Sequence, residues 1–195
     1  MKLDYAPGAT PLEPEELEEL IPDLVTQRQL NEFEAQNIAS AEQWANRNTR
    51  FRGRLLSVAG LLELHKRMFA DTWKWAGQFR KSNKNIGSDW PYISEQVQAL
   101  CDDANYWLQH NTWTLPELAV RFHHRLVSIH PFVNGNGRHA RVAANLLLEY
   151  NGEPRLAWGG VSLVEEGERR AEYIAALQDA DKGNLQRLVQ FALLS

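Results

Sequence analysis

Hydrophobic residues recur at helical spacing over most of this chain. The first such run opens at Thr26, where Gln29 completes a capping box, and its apolar positions follow a period near 3.6. Similar runs open near Ser57, Ser94 and Thr114, the last with proline in its first turn. The pattern therefore predicts four helices before residue 130.

The segment Arg138–Tyr150 is apolar on nearly every side, which is typical of a helix in the middle of a bundle. Two further amphipathic helices are predicted, one from Ser162 to about Asp179 and one from Asn184 to Leu194. His65 lies in the apolar stripe of the Ser57 helix, which favours a hydrogen-bonded core histidine over a ligand. The predicted fold class is an all-α helical bundle.

Two stretches lack this periodicity. Residues 1–25 hold five prolines or glycines and an acidic run, which predicts a solvated N-terminal arm with one short helix, Glu15–Leu20. The folded domain is then residues 26–195. The stretch Lys81–Ile93 is polar, rich in turn formers and carries isolated large apolar residues, so it is predicted to be a loop or a small β-hairpin. Within it, Trp90 fits a packing role and a binding role equally well.

Composition narrows the class of protein. The chain has 195 residues, 44% of them hydrophobic and 24% charged, which suits one ordinary folded domain. Its formal charge of −4 gives no reason to expect direct nucleic-acid binding. Cys101 is the single cysteine, and no apolar run suggests a signal peptide or a membrane span. The expectation is a cytoplasmic protein without a membrane partner.

Candidate chemistry concentrates between the fourth helix and the apolar one. His130 comes at a helix end, Pro131 stops that helix, and Gly135-Asn136-Gly137 supplies a turn before the next helix. Bared N–H groups and a helix N-terminus favour an anion, and Arg138 and Arg141 lie on neighbouring positions of the same helix. A neutral histidine at the rim can act as a general base. The plainer alternative is a surface corner between two helices.

The same stretch resembles the signature of Fic-domain proteins, HPFx(D/E)GNGRxxR. Eight of its nine fixed places match: His130, Pro131, Phe132, Gly135, Asn136, Gly137, Arg138 and Arg141. The likeness extends over about residues 26–194, with landmarks that include Trp75-Ala76-Gly77, Phe79-Arg80 and Tyr173. The run Leu30-Asn31-Glu32-Phe33-Glu34 also resembles the branch called mobile mystery protein B.

Fic proteins are α-helical and mostly transfer AMP from ATP to a Ser, Thr or Tyr hydroxyl of a protein. The resemblance implies that His130 is the base and that Gly135-Asn136-Gly137 cradles the α- and β-phosphates. Arg138 and Arg141 would neutralise the outer phosphates. The stretch Lys81–Ile93 would be a β-hairpin flap that aligns the target protein as an added strand, through residues Lys84, Asn85 and Ile86.

Asn134 departs from the signature, because the family has an acidic residue there that helps to hold Mg²⁺. A neutral amide is a weaker ligand for this hard cation. Three outcomes stay open. The metal can rest mainly on phosphates and water, with slower transfer. The transferred group can differ from AMP, for example phosphate, UMP or phosphocholine. The site can also be a regulatory module that binds nucleotide without turnover.

Many Fic proteins are restrained by a glutamate of a (S/T)xxxE(G/N) helix that pairs with the second arginine, here Arg141. Glu166 fits the letters of that motif, although Ser162 with Glu165 also reads as a plain capping box. Glu34 on the first long helix is a second inhibitory candidate. A separate antitoxin-like partner could supply the glutamate instead, with the toxin role that this implies.

Overall fold

The computed structural model describes residues 10–159 and 167–194, and in them the chain is helical almost throughout. The helices follow the predicted order. They are α1 (Pro14–Leu17), α2 (Gln27–Arg47), α3 (Thr49–Arg52), α4 (Val58–Phe69), α5 (Ile93–Gln109), α6 (Leu115–Ile129), α7 (Asn136–Tyr150), α8 (Glu168–Asp181) and α9 (Gln186–Leu193). The all-α prediction is confirmed. The predicted opening of the α8 helix at Ser162 lies outside the described residues.

Three of the long helices, α2, α4 and α6, begin at the polar residues that the sequence indicates. Thr26 accepts a hydrogen bond from the backbone N–H of Gln29, and the Gln29 side chain accepts one from the N–H of Thr26. Ser57 caps α4 and Thr114 caps α6 in the same manner. Each cap satisfies a backbone donor that the first helical turn leaves without a partner. These starts are therefore fixed by local chemistry.

Helix α7 occupies the centre of the bundle, as its composition predicts. One face, with Ala143 and Leu146, belongs to an apolar cluster shared with α2, α4, α5 and α6. The opposite face, with Ala144 and Leu148, belongs to a second cluster that includes α8 and α9. Burial on both sides explains why this helix carries hardly any polar surface. It also gives the turn before α7 a rigid support.

The N-terminal arm is packed against the domain, so the prediction of a solvated arm is wrong for residues 10–25. Leu12 is buried in the main apolar cluster. Leu20 forms an isolated antiparallel bridge with Trp73, and the N–H of Ile21 donates to the carbonyl of Thr72 at 2.9 Å. The sequence does not predict this packing, because the few apolar residues of the arm show no period. Its helix is α1, shorter than the predicted Glu15–Leu20.

The stretch Lys81–Ile93 is a loop, one of the two alternatives that the sequence predicts, and not the β-hairpin flap that the resemblance implies. It contains bends and one 3₁₀ turn, Trp90–Tyr92, and leads directly into α5. The carbonyls of Ser82 and Ser88 face inward and accept hydrogen bonds from the Arg80 guanidinium. A central cation therefore replaces the cross-strand pairing that a hairpin requires. Trp90 is 46% exposed, so it is not a core residue.

None of the helices in the described ranges has the length and apolar character needed to cross a membrane.

Candidate active site

His130 ends α6 in a conformation that few residues adopt. Its φ is 54° and its ψ is 59°, in the left-handed region, and its N–H donates to the carbonyl of Leu126. The loop residue Gly87 presses against it, because a Cβ added to Gly87 would lie 2.5 Å from the Cβ of His130. Such strained residues persist only where the surroundings hold them, and they cluster at functional sites.

Arg80 holds the backbone of this histidine in place. The guanidinium is almost fully buried, and its Nε donates to the carbonyl of His130 at 2.7 Å. The backbone N–H of Arg80 donates to the carbonyl of Pro131 at 3.0 Å. Burial lowers the pKa of Arg80, and the charge of Asp89 partly opposes that fall. One cation thus fixes both the base and the loop at residues 82–88.

The imidazole of His130 is neutral at physiological pH. Its pKa is lowered to about 4, mainly by burial and then by the positive charges of Arg80 and Lys84, while a backbone hydrogen bond with Val127 acts in the opposite direction. Its Nε2 lies 3.0 Å from the hydroxyl oxygen of Thr10, on the N-terminal arm. A ring nitrogen that carries no proton can accept one, which is what a general base requires.

The turn that follows is held by its own side chains. Asn136 both donates to and accepts from the backbone of Phe132, at 2.9 Å in each case. Gly135 has a φ of 78°, and a Cβ there would meet the Phe69 ring at 2.6 Å. The first backbone hydrogen bond within α7 runs from His139 to Gly135. The N–H groups of the first turn are therefore free of intrahelical acceptors and can bind an anion.

His65 supports the same turn from the core. Its Nδ1 accepts from the N–H of Gly77 at 2.9 Å, so its Nε2 carries the proton and donates to the carbonyl of Asn134 at 3.1 Å. Its ring stacks on Phe132, with centroids 3.7 Å apart. Burial, with the nearby His139, lowers the pKa of His65 well below its ordinary value. The prediction of a hydrogen-bonded core histidine is confirmed.

The residues at Asn134 do not make a magnesium site by themselves. The Oδ1 of Asn134 accepts from the N–H of Gly135 at 2.6 Å and from the guanidinium of Arg138 at 3.2 Å. In residues 10–159 and 167–194, no group of three or more His, Cys, Asp or Glu side chains is arranged to hold a metal ion. The donor set therefore does not fit a cation held by protein ligands alone.

The first signature arginine is already paired. Arg138 forms an ion pair with Glu34 of α2, and the other Glu34 oxygen accepts a hydrogen bond of 2.7 Å from the indole N–H of Trp73. Glu34 is buried. This candidate glutamate thus contacts Arg138 and not Arg141, the partner that the resemblance implied. Glu166, the other candidate, lies outside the residues that the structure describes.

Arg141 lies near two other positively charged side chains and packs over an aromatic ring. Its guanidinium lies 5.4 Å from the centre of the Tyr173 ring, and the Tyr173 hydroxyl is 3.0 Å from Nε2 of His123. Burial lowers the pKa of Arg170, and the positive charges of Arg141 and Arg138 lower it further. Three guanidinium groups therefore share one region beside the α7 N-terminus, which favours a polyanion.

The three predicted flap residues differ in their surroundings. The ammonium group of Lys84 is buried and paired with Glu16 on the arm. Asn85 and Ile86 are exposed, and Ile86 keeps 44% of its surface open. The sequence predicts the signature residues, but it marks Arg80 only as a landmark of the resemblance and does not single out Thr10. A lone arginine or threonine carries no periodic signal.

Comparison with known proteins gives a family match. Residues 55–148 match the model of the Fic/DOC family. Over 141 residues it is 34% identical to the protein adenylyltransferase fic-1 of Caenorhabditis elegans, an alignment that covers 70% of this chain and 26% of that protein. The chain thus spans about a quarter of the length of that curated relative.

Solved structures agree with the fold. Fic-1 from C. elegans superposes with a TM-score of 0.67 at 28% identity, over 91% of this chain and 51% of that one. The BepC protein of Bartonella tribocorum, solved with bound AMPPNP, superposes with a TM-score of 0.64 at 18% identity, over 93% and 97% of the two chains. The second likeness supports the fold alone.

Proposed function

We propose that this protein transfers AMP from ATP to a Ser, Thr or Tyr hydroxyl of a protein. The observation that carries the proposal is that a buried neutral base, His130, and an arginine-rich helix N-terminus flank one rigid turn. The name of the fic-1 relative, a protein adenylyltransferase, supports the same activity. A nucleotide supplies the polyanion that the guanidinium groups of Arg138, Arg141 and Arg170 favour.

In the proposed reaction the first-turn N–H groups of α7, with Gly135-Asn136-Gly137, bind the α- and β-phosphates. Arg138 and Arg141 stabilise the negative charge on the outer phosphates. The target hydroxyl oxygen bonds to the α-phosphorus, the bond to the leaving pyrophosphate breaks, and His130 Nε2 takes the hydroxyl proton. The strained backbone of His130, held by Arg80, fixes the position of the base beside the attacking oxygen.

In this proposal the protein side chains bind Mg²⁺ more weakly than the family pattern implies. Asn134 already accepts two hydrogen bonds, so Mg²⁺ would depend on phosphate oxygens and water. The same feature favours a second candidate function, a module that binds nucleotide without turnover. Transfer of another group, such as phosphate, UMP or phosphocholine, is a third.

Glu34 is the proposed restraint on this site. Its carboxylate is paired with the Arg138 guanidinium, which a nucleotide phosphate would otherwise bind. The carboxylate and the phosphate therefore compete for Arg138. The exposed residues Asn85 and Ile86 are the proposed contacts for an extended target segment. An antitoxin-like partner, a cytoplasmic location, the mobile mystery protein B branch and the domain boundary at residue 26 stay predictions.

The decisive experiment supplies ATP labelled at the α-phosphate to the protein and a cell lysate with Mg²⁺ or Mn²⁺. We expect labelled lysate proteins with the wild type, more label with Glu34→Gln, and none with His130→Ala. Intact-mass analysis of a labelled protein then names the added group. ATP binding by calorimetry that survives His130→Ala, with no label from any form of the protein, would replace the transferase with the binding module.

A further inference from the structure

The side chain that faces the proposed base belongs to the protein itself. Thr10 Oγ1 lies 3.0 Å from His130 Nε2, and both residues are only 7% exposed. In the neutral tautomer that carries its proton on Nδ1, Nε2 can accept the Thr10 hydroxyl proton in a hydrogen bond. That is the relation that a general base needs to an attacking hydroxyl. The two residues are separated by 120 positions in the chain, so the contact is tertiary.

The arm around Thr10 is anchored at several points. Leu12, two residues further on, is buried in the main apolar cluster. Glu16 then pairs with the buried ammonium of Lys84, and its carbonyl accepts from the indole N–H of Trp75 at 3.4 Å. The arm therefore runs between the loop at residues 82–88 and the Trp73–Trp75 segment. This packing holds Thr10 next to the His130 ring.

We propose that Thr10 is an acceptor in cis, so that the protein adenylylates its own N-terminal arm. The inference rests on the proposed function, because it needs the same donor and the same base. The Thr10 oxygen bonds to the α-phosphorus of ATP, the bond from that phosphorus to pyrophosphate breaks, and the proton passes to His130 Nε2. The products are a threonyl–AMP ester, pyrophosphate and, after release from His130, one proton.

Self-transfer and transfer to another protein compete for one position. A target hydroxyl must lie within hydrogen-bond reach of His130 Nε2, and Thr10 occupies that place. The arm must therefore move before a second protein can be modified. Replacement of Thr10 by valine removes both the competing hydroxyl and its hydrogen bond to the base, so transfer to other proteins should rise.

The test incubates the purified chain with ATP and maps the added mass by peptide mass spectrometry. We expect one AMP on the peptide that contains Thr10 in the wild type and in Thr10→Ser, which keeps a hydroxyl. We expect none there in Thr10→Val or in His130→Ala. Thr112→Val, at an exposed threonine outside the site, should label like the wild type. The fraction labelled at a fixed time should not change on tenfold dilution of the protein, because the reaction is intramolecular.

The outcomes separate this inference from the proposed function. Label on lysate proteins with an unmodified Thr10 peptide would overturn the inference and leave the transferase intact. Label at Thr10 that disappears on dilution, or that an active chain places on a His130→Ala chain, would mean transfer between molecules and would also overturn it. No label on the chain or on any lysate protein would remove the proposed function, and the inference with it.

Discussion

Glu34 of α2 and Arg138 of α7 form an ion pair across the opening of the site, although 104 positions separate them in the chain. The carboxylate is held on its other side by the indole of Trp73. A buried ion pair contributes little net stability when both partners are present, because desolvation offsets the attraction. Its position at the α7 N-terminus is therefore more informative than its strength. It places a negative charge where the proposed nucleotide brings another.

Replacement of Glu34 by glutamine should raise the affinity for ATP. The amide keeps an acceptor for Trp73, but it no longer neutralises Arg138, so the phosphates gain a free guanidinium. We expect the dissociation constant to fall by about tenfold, which corresponds to about 1.4 kcal/mol. Calorimetry with ATP measures it.

Glu32→Gln is the matched control for this prediction. Glu32 lies on the same helix, pairs with Arg28 and keeps 65% of its side chain exposed, so the same chemical change should leave ATP affinity as it was. Equal ATP affinity in the wild type and Glu34→Gln would show that the Glu34 pair does not restrain the site.

Replacement of Arg80 by lysine should destabilise the fold and reduce transfer together. The guanidinium donates to the carbonyls of His130, Ser82 and Ser88 at once, and an ammonium group cannot match that planar fork. We expect the free energy of unfolding to fall by about 2–4 kcal/mol, since hydrogen bonds to charged groups are lost in the interior. Urea denaturation measures the change.

The control is Arg28→Lys, because the Arg28 side chain is 84% exposed. The two variants should differ clearly in stability and in the label they place on lysate proteins. If Arg80→Lys behaves like Arg28→Lys in both measurements, Arg80 does not position the base.

The sequence predicted the helices and the signature turn because those signals are local. Thr26 and the Gln29 N–H that donates to it lie within one helical turn, and the N-cap chemistry of Ser57 needs only Gly60. The apolar face of a helix repeats every three or four residues, which reveals it without knowledge of the partner. Gly135 could be identified from its place between two helices.

The long-range contacts of the site could not be predicted in the same way. Thr10 and His130, or Glu34 and Arg138, have no spacing that marks them as a pair. The prediction of a β-hairpin was wrong for a different reason. Ile86, Trp90 and Tyr92 have the composition of a short strand, but Arg80 binds the backbone carbonyls that a hairpin would use for pairing. A buried cation outweighs a weak strand propensity.

Replacement of Asn134 by aspartate should raise Mg²⁺-dependent transfer. Both hydrogen bonds formed by the Asn134 side chain in the described structure use its oxygen, so a carboxylate can keep them and add a charged ligand for the cation. We expect at least about tenfold more label at low Mg²⁺, an effect of about 1.4 kcal/mol. Titration of Mg²⁺ against the initial rate measures it.

Asn136→Asp provides the contrast, since the Asn136 amide nitrogen donates to the carbonyl of Phe132. That variant loses a buried donor and should unfold more easily by about 1–3 kcal/mol. If Asn134→Asp shows the same Mg²⁺ dependence as the wild type, residue 134 is not part of the metal environment.

Acid conditions should weaken the fold. His130 and His139 have pKa values lowered to about 4, in both cases mainly by burial, while the unfolded chain titrates them near its ordinary value of about 6.5. Between these values the unfolded state binds more protons, so stability is complete above about pH 6.5 and is lost as the pH falls toward 4. The loss is up to about 1.4 kcal/mol per pH unit for each histidine. Thermal melts at each pH therefore define the range in which activity can be compared.

Within that range, transfer to Thr10 should hardly respond to the titration of its base, because this acceptor leaves His130 buried. A histidine with the usual pKa would lose about fourfold of its neutral form between pH 7.5 and pH 6.0, whereas His130 stays neutral throughout. Initial rates at saturating ATP should therefore differ by less than about twofold across this interval. His110→Asn, which removes an exposed histidine, should give the same profile. A fourfold fall in the folded wild type, centred near pH 6.5, would mean that the base is more exposed during turnover than its burial beside Thr10 indicates. In that case the arm leaves the site before the proton moves, which contradicts transfer to Thr10 in its packed position.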